Sequence, residues 1–280
     1  MKQKSINNLL TDPEQKEELK QRLNFVKAIR EFSVIELGLP DNNSYLSYAD
    51  LERRFVVWTI YATPRFSLKP KNWCYLVVGC LSYKGYFAEA DAKKEMVKLR
   101  QEGLDVYMGG VVAYSTLGWF ADPVLNTMLN WSDIELAKVI FHELTHQLLY
   151  INNDTVFNES FAETIAIIGV RKWLDKKGDM HLIDQFEEQR DTQKLFIELV
   201  FKYKHRLEKL FQSELPVVVM ESEKAVIFNA MKSEYEQAKI NWQTDDYDNW
   251  FNTALNNAKL ASVLTYHQFV DDMLAIYAKS

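Results

Sequence analysis

Apolar residues recur at helical spacing early in the chain: Leu19, Leu23, Val26 and Ile29 fall along one face of the run EQKEELKQRLNFVKAIREFSVIELG. Asp12 supplies an N-cap, Pro13 a first helical position and Gly38 a stop, so the pattern predicts a long opening helix. The turn-rich PDNNSYLSYAD next to it predicts a loop. Residues 54–63 and 73–83 are aromatic and β-branched, the texture of strands. Residues 88–102 predict a charged amphipathic helix ended by Gly103, and DVYMGGVVAYST predicts two short strands broken at Gly109 and Gly110.

From Ser132 the pattern changes. Ser132 and Glu135 have capping-box spacing, and apolar positions then recur with a helical period almost to the C-terminus. They predict helices near 133–151, 158–177, 181–214 and 218–240, with Pro216 between the last two. A polar stretch at QTDDYDN and a final helix from about residue 265 complete the chain. Leu195, Leu199, Tyr203, Leu207 and Leu210 form one apolar stripe, read as core beneath Lys- and Glu-rich solvated faces. At 280 residues the chain is near the upper limit of a single core. The expected class is α+β, one domain over 1–280 in two lobes: a small mixed sheet with helices over about 1–131, and helices over about 132–280.

Composition then narrows the function. At 48% hydrophobic and 26% charged, with 16 Phe, 14 Tyr and 7 Trp, the chain can bury a large core. Its net charge of −6 gives no electrostatic reason for a nucleic acid or an anionic membrane surface as partner. No window approaches the ~18 continuous apolar residues of a spanning helix, and MKQKSINNLLTDPEQ holds no signal-peptide core, so no membrane span is expected. Cys74 and Cys80 are too few for a disulfide framework or a four-cysteine zinc site. On one extended strand they would stand ~20 Å apart, too far to bond. A metal site here is therefore built from nitrogen and oxygen donors.

Within the apolar helix ELAKVIFHELTHQLLYI, His142, Glu143 and His146 spell H-E-x-x-H. Residues i and i+4 lie one turn apart on one helix face, so both imidazoles can reach a single metal ion. Glu143 projects beside that ion without having to bind it, where it can take a proton from metal-bound water. Burying two histidines and a carboxylate in so apolar a helix costs several kcal/mol unless something compensates them, which a metal would do. His181, His205 and His267 have no ligand spacing: His205 is read as facing water, and His267, beside Tyr266, as exposed at a helix start.

A catalytic zinc needs a third protein ligand and an open position. Positions 149 and 152 are Leu149 and Asn152, which excludes the metzincin pattern of Gly and His there. The next segment, INNDTVFNESFAETIAIIG, is a polar loop and a second helix carrying Glu159 and Glu163 one turn apart. A helical hairpin would return that helix to the end of the first, near His146. Glu159 is the third ligand in this reading, and Glu163, with Asn158, supports the ligands by hydrogen bonds; the reverse assignment of the two glutamates stays open.

FHELTHQ followed by FNESFAE resembles the gluzincin metallopeptidases. Together with ELGLPDNNSYLSYADL, WCYLVVGCLSYKGYF, GGVVAYSTLGWFADP and NNAKLASVLTYH, these segments are similar to a family of bacterial predicted zinc aminopeptidases, a likeness running from about residue 6 to the chain end. The resemblance implies a zincin-like fold with the active site between the two lobes. It also implies Zn2+ held by His142, His146 and Glu159, with Glu143 as catalytic base. Members often carry an N-terminal lipoprotein signal, so a cell-envelope or periplasmic place, with a lipid anchor on a longer natural N-terminus, is implied; a cytoplasmic place is the alternative.

The expected chemistry is attack of zinc-bound water on a peptide carbonyl, with Glu143 taking the water proton and passing one to the leaving amine. Tyr266 and Tyr114 are the candidates to steady the oxyanion. Residues 111–116 are read as an edge strand that could pair with an extended peptide, with Ala113, Tyr114 and Ser115 touching substrate. VVAYSTLG holds no acidic group for a substrate's free amine. The residues thus argue for metal-dependent peptide hydrolysis, and the resemblance for aminopeptidase action on short peptides. An endopeptidase, and a non-catalytic protein stabilised by zinc, remain the alternatives; only the enzymes need Glu143 as a base.

Overall fold

The opening apolar stripe forms its helix, but later in the chain than its polar signals suggest. In the computed structural model, which describes residues 3–76 and 79–279, a strand β1 (Lys4–Ser5) and a helix α1 (Ile6–Thr11) precede the long helix α2 (Glu17–Ile35). Asp12 does not cap α2: its Oδ1 accepts the Glu14 amide at 2.9 Å and its carbonyl accepts the Gln15 amide, making a turn instead. α2 buries Leu23, Val26 and Ile29, and the chain turns at Gly38 with φ +65°.

The mixed region consists of β2 (Ser47–Ala49), β3 (Val57–Thr63), β4 (Trp73–Tyr75), β5 (Gly79–Leu81), β6 (Lys84–Tyr86), α3 (Glu89–Gln101), β7 (Asp105–Val111) and β8 (Val124–Leu125). β2 lies inside the segment expected to be a loop, pairing with β1 and, in parallel, with β8. The run 73–83 is not one strand. β4 and β5 pair antiparallel as a hairpin that sets Cys74 opposite Cys80 with 3.8 Å between Cα atoms, and a disulfide joins them. The chain reverses between the two cysteines, so the wide separation expected of an extended strand does not arise. Val77 and Val78 of that run lie outside the described residues.

β7 runs through Gly109 and Gly110 unbroken, antiparallel to β3 in the sheet β6-β3-β7. Gly110 serves close packing rather than interruption, since a Cβ there would stand 2.4 Å from the Phe55 ring. β7 is an edge strand that ends at Val111, so residues 112–116 continue past it rather than forming the edge themselves. α3 covers the sheet, packing Ala92 and Leu99 over Ile60, Ala62 and Val106.

Helices complete the chain: α4 (Asn126–Leu129), α5 (Asp133–Leu148), α6 (Thr155–Lys177), α7 (Met180–Phe211), α8 (Val217–Trp242), α9 (Asp248–Asn252), α10 (Asn257–His267) and α11 (Val270–Tyr277). The last part begins its helix at Asn257 rather than near 265, because Asn256 accepts the Lys259 amide at 2.9 Å and caps α10. In α7, Leu199, Tyr203 and Leu207 are buried as expected, but Leu195 is exposed and Phe196 takes its place in the core. The largest core joins α2, β2, β8, α5 and α6, drawing residues from both sides of position 131. No helix among the described residues is long and apolar enough to cross a membrane.

The contact that matters most for the site is α5 on α6. At Gly169 of α6, a Cβ would lie 2.7 Å from Phe141 Cδ2 and 2.7 Å from Leu37 Cδ1, so the absence of a side chain sets how closely the helices approach. Gly169→Val is expected to destabilise the fold by about 1–3 kcal/mol through overpacking and to lower the thermal midpoint in calorimetry. An unchanged midpoint would mean the seam relaxes freely.

Candidate metal centre

α5 starts where the sequence places it. Ser132 Oγ accepts the Glu135 amide at 3.2 Å, and Glu135 Oε2 accepts the Ser132 amide at 3.1 Å, completing the capping box. With that start fixed, Ile134, Ala137, Phe141 and Leu144 turn into the core, and His142, Glu143 and His146 reach a cleft of about 170 Å³. The two imidazoles meet edge to face, their Nε2 atoms 3.2 Å apart.

The loop between α5 and α6 is short, and the side chain of Asn158 closes it: Oδ1 accepts the Ile151 amide and Nδ2 donates to the Ile151 carbonyl, both at 2.8 Å. Asn158 therefore holds loop backbone, and its support for the ligands runs through that loop rather than through a bond to a histidine. Asp154 caps α6 by accepting the Phe157 amide at 3.0 Å, so the helix begins three residues earlier than expected. Glu159 then lies in its second turn and points back at α5. Its Oε2 is 3.2 Å from His142 Nε2 and 3.5 Å from His146 Nε2. Two imidazole nitrogens and a carboxylate oxygen facing one point are a donor set that fits a divalent cation, and all three residues line the cleft.

Glu163, one turn on, sits behind the histidines. Its Oε2 is 3.8 Å from His142 Nδ1 and its Oε1 is 2.6 Å from Lys138 Nζ. No motif pointed to Lys138, although it lies one turn before His142 on α5. His146 Nδ1 is buried with no hydrogen-bond partner among the described residues.

The electrostatics derive from burial and pairing. Burial pushes the Glu143 carboxyl upward, against the pull of the two imidazoles. For His142 and Glu159 burial acts against the charged forms, but pairing prevails: Glu159 and Glu163 raise His142, and His146 with His142 lowers Glu159. Glu163, buried too, is held low chiefly by Lys138 and His142. His267 is the last residue of α10, not the first of a helix; it is half-buried, and desolvation lowers it to about 4, so its ring stays neutral.

The remaining expected residues all reach the cleft. Tyr266 stands with its ring 6.2 Å from that of His142, and Ala113, Tyr114 and Ser115 line the opposite wall just beyond β7. Asp122 sets that wall: its Oδ2 accepts the Thr116 amide at 2.9 Å and Gln147 Nε2 at 3.1 Å, tying the segment to the end of α5. Several cleft residues have no motif to announce them, among them Tyr83, whose hydroxyl donates to Glu159 Oε1 at 3.3 Å, and Tyr150 and Leu81, which line the walls. Nothing in the strand-like texture of residues 73–83 signals the tyrosine. Larger hollows of about 450 and 530 Å³ lie elsewhere, without such a donor set.

No curated protein and no solved structure matches this chain. A family model described as "Putative aminopeptidase" matches residues 1–280, so the chain belongs to that aminopeptidase family.

Proposed function

We propose that the protein is a zinc aminopeptidase of gluzincin type and zincin-like fold, as its likeness to the bacterial family implies, acting on short peptides. The observation that carries this reading is the meeting of His142 Nε2, His146 Nε2 and Glu159 Oε2 within 3.2–3.5 Å, with Glu143 on the same cleft wall. When bound there, a divalent ion supplies Lewis-acid polarisation of the scissile carbonyl and acidifies water. Glu143 takes the proton from the attacking water; as the C–N bond breaks, it returns one to the leaving amine. Its upward shift suits a group that must both accept and give back a proton. Tyr266, next to His142, is positioned to donate to the developing oxyanion, with Tyr114 across the cleft as the other donor. The end of edge strand β7 and residues 113–115 offer backbone groups to an extended peptide. The Cys74–Cys80 disulfide supports a cell-envelope place over a cytoplasmic one.

A zinc endopeptidase is the second reading, because the carboxylates lining the cleft among the described residues are Glu143 and Glu159, both already assigned, leaving none for a free amine. Hydrolysis of free-amine and N-blocked peptides separates the two: equal cleavage of blocked peptides sinks the aminopeptidase reading. Glu143→Gln should retain zinc and lose activity by about 100-fold or more. Zinc retained with activity intact would contradict Glu143 as the base, and a wild-type chain that binds zinc but cleaves no peptide would favour a structural metal. Tyr114→Phe should raise KM more than it lowers kcat if the segment binds substrate, and a pure kcat defect would contradict that role.

Metal uptake is also expected to depend on pH. Because His142 is raised, its ring carries a proton at neutral pH in the metal-free chain, and a cation must displace it. Affinity should therefore climb as pH rises through the neutral range, with about one proton released per ion bound. Calorimetry in buffers of different ionisation enthalpy measures that proton, and a buffer-independent heat would contradict the assignment.

A further inference from the structure

One wall of the cleft comes from a part of the chain that no ligand motif accounts for. The disulfide-closed hairpin β4–β5 is seated on the loop that joins the two ligand helices. The Cys80 amide donates to Asn153 Oδ1 at 2.8 Å, and the Ser82 amide donates to Thr155 Oγ1 at 3.3 Å. Gly79 comes so near that a Cβ there would stand 2.7 Å from Asn153 Oδ1. Both Asn153 and Gly79 adopt left-handed backbone, φ +69° and +75°, so the seat is a specific fit between two turns. Immediately downstream, Leu81 lines the cleft and Tyr83 reaches Glu159, its ring packed 5.6 Å from that of Tyr61.

We propose that Tyr83, delivered by the Cys74–Cys80 hairpin, is a positioning residue for Glu159: its hydroxyl holds Oε1 and leaves Oε2 to face His142 and His146. The proposal rests on the metal-site reading. A carboxylate on a flexible side chain can turn either oxygen, or both, toward a cation. A hydrogen bond to one oxygen selects a single orientation and removes the cost of ordering the ligand when the ion arrives. The hairpin matters because it fixes where Tyr83 begins. Cleaving the disulfide with a dithiol, which is oxidised to its own disulfide as two thiols form, releases the strand pair that seats on Asn153.

The test is zinc affinity of the full chain, measured by competition with a chelator, beside kcat and KM. Tyr83→Phe keeps the ring on Tyr61 and is expected to weaken zinc binding about tenfold or more. The Cys74→Ser/Cys80→Ser chain should weaken it as well. Combined with Tyr83→Phe, it should add little, because both act through one hydroxyl. Should Tyr83→Phe fold poorly, as seen in the thermal midpoint of the metal-free chain, the cysteine pair carries the test with the tyrosine still present. Visible absorption of the Co2+-loaded forms reads the ligand geometry directly. Zinc affinity equal to wild type in Tyr83→Phe, or a loss of kcat with affinity unchanged, overturns the proposal; the latter would place Tyr83 against substrate. A wild-type chain that binds no zinc defeats the metal reading itself, a distinct outcome.

Discussion

Everything at the cleft depends on burying ionisable groups in the seam between α5 and α6. The seam is built mainly on apolar packing, with Ile140, Phe141 and Leu144 of one helix in one core with Ala166 and Ile167 of the other. A carboxylate or imidazolium left unpaired there costs several kcal/mol. The helices must therefore approach closely enough for Glu159 to touch both histidines and for Glu163 to reach Lys138. Gly169 permits that approach, and the Asn158 side chain shortens the connecting loop to match. Packing and chemistry are one constraint: a wider seam would relieve Phe141 and strand the charges.

The other walls are fixed to this seam by polar anchors that the apolar pattern does not show. α10, which carries Tyr266, is tied to the sheet by Asn256, whose Nδ2 donates to the Val106 carbonyl at 3.1 Å. Asn257 Nδ2 donates to the carbonyls of Pro64, Arg65 and Ser67, gathering the loop after β3. Lys259, fully buried, donates to the Trp250 carbonyl and Thr253 Oγ1 and so closes the end of α9; desolvation lowers it to about 8. The segment NNAKLASVLTYH thus acts as a bracket, and Tyr266 stands where it does because three residues upstream are committed elsewhere.

Much of the seam is legible in the sequence. Helical periodicity and the Ser132–Glu135 box place α5, and i/i+4 spacing puts His142 and His146 on one face; these are local relations that sequence spacing encodes. Glu159 is reached by assuming a helical hairpin, which a loop this short enforces. The parts that escape are tertiary. Tyr83 and Glu159 are 76 positions apart, and no spacing rule connects them. The hairpin reads as one strand because aromatic and β-branched composition is the same on either side of a reversal, and Gly79 is the sole local sign of it. Gly109 and Gly110 mislead in the opposite sense: they look like a break, but the strand runs through both, and Gly110 makes room for Phe55, whose position only the fold reveals. Leu195 loses its place to Phe196 by one residue, the error expected when two apolar neighbours compete for one helix face.

Charge balance ties the buried cluster to its proposed cation. Glu143, Glu159 and Glu163 are all within the seam or on its cleft edge, and Lys138 supplies one fixed positive charge against them. A proton on His142 adds a second positive charge beside Glu159 and Glu163, and burial pushes the Glu143 carboxyl upward, toward its uncharged form. A divalent cation held by His142, His146 and Glu159 would put a larger positive charge in place of the imidazole proton. Its charge would act on Glu143 in the direction opposite to burial, favouring the ionised carboxylate. The ion that the donor set fits would therefore favour the carboxylate form of Glu143, which is the state the proposed hydrolysis requires at its first step.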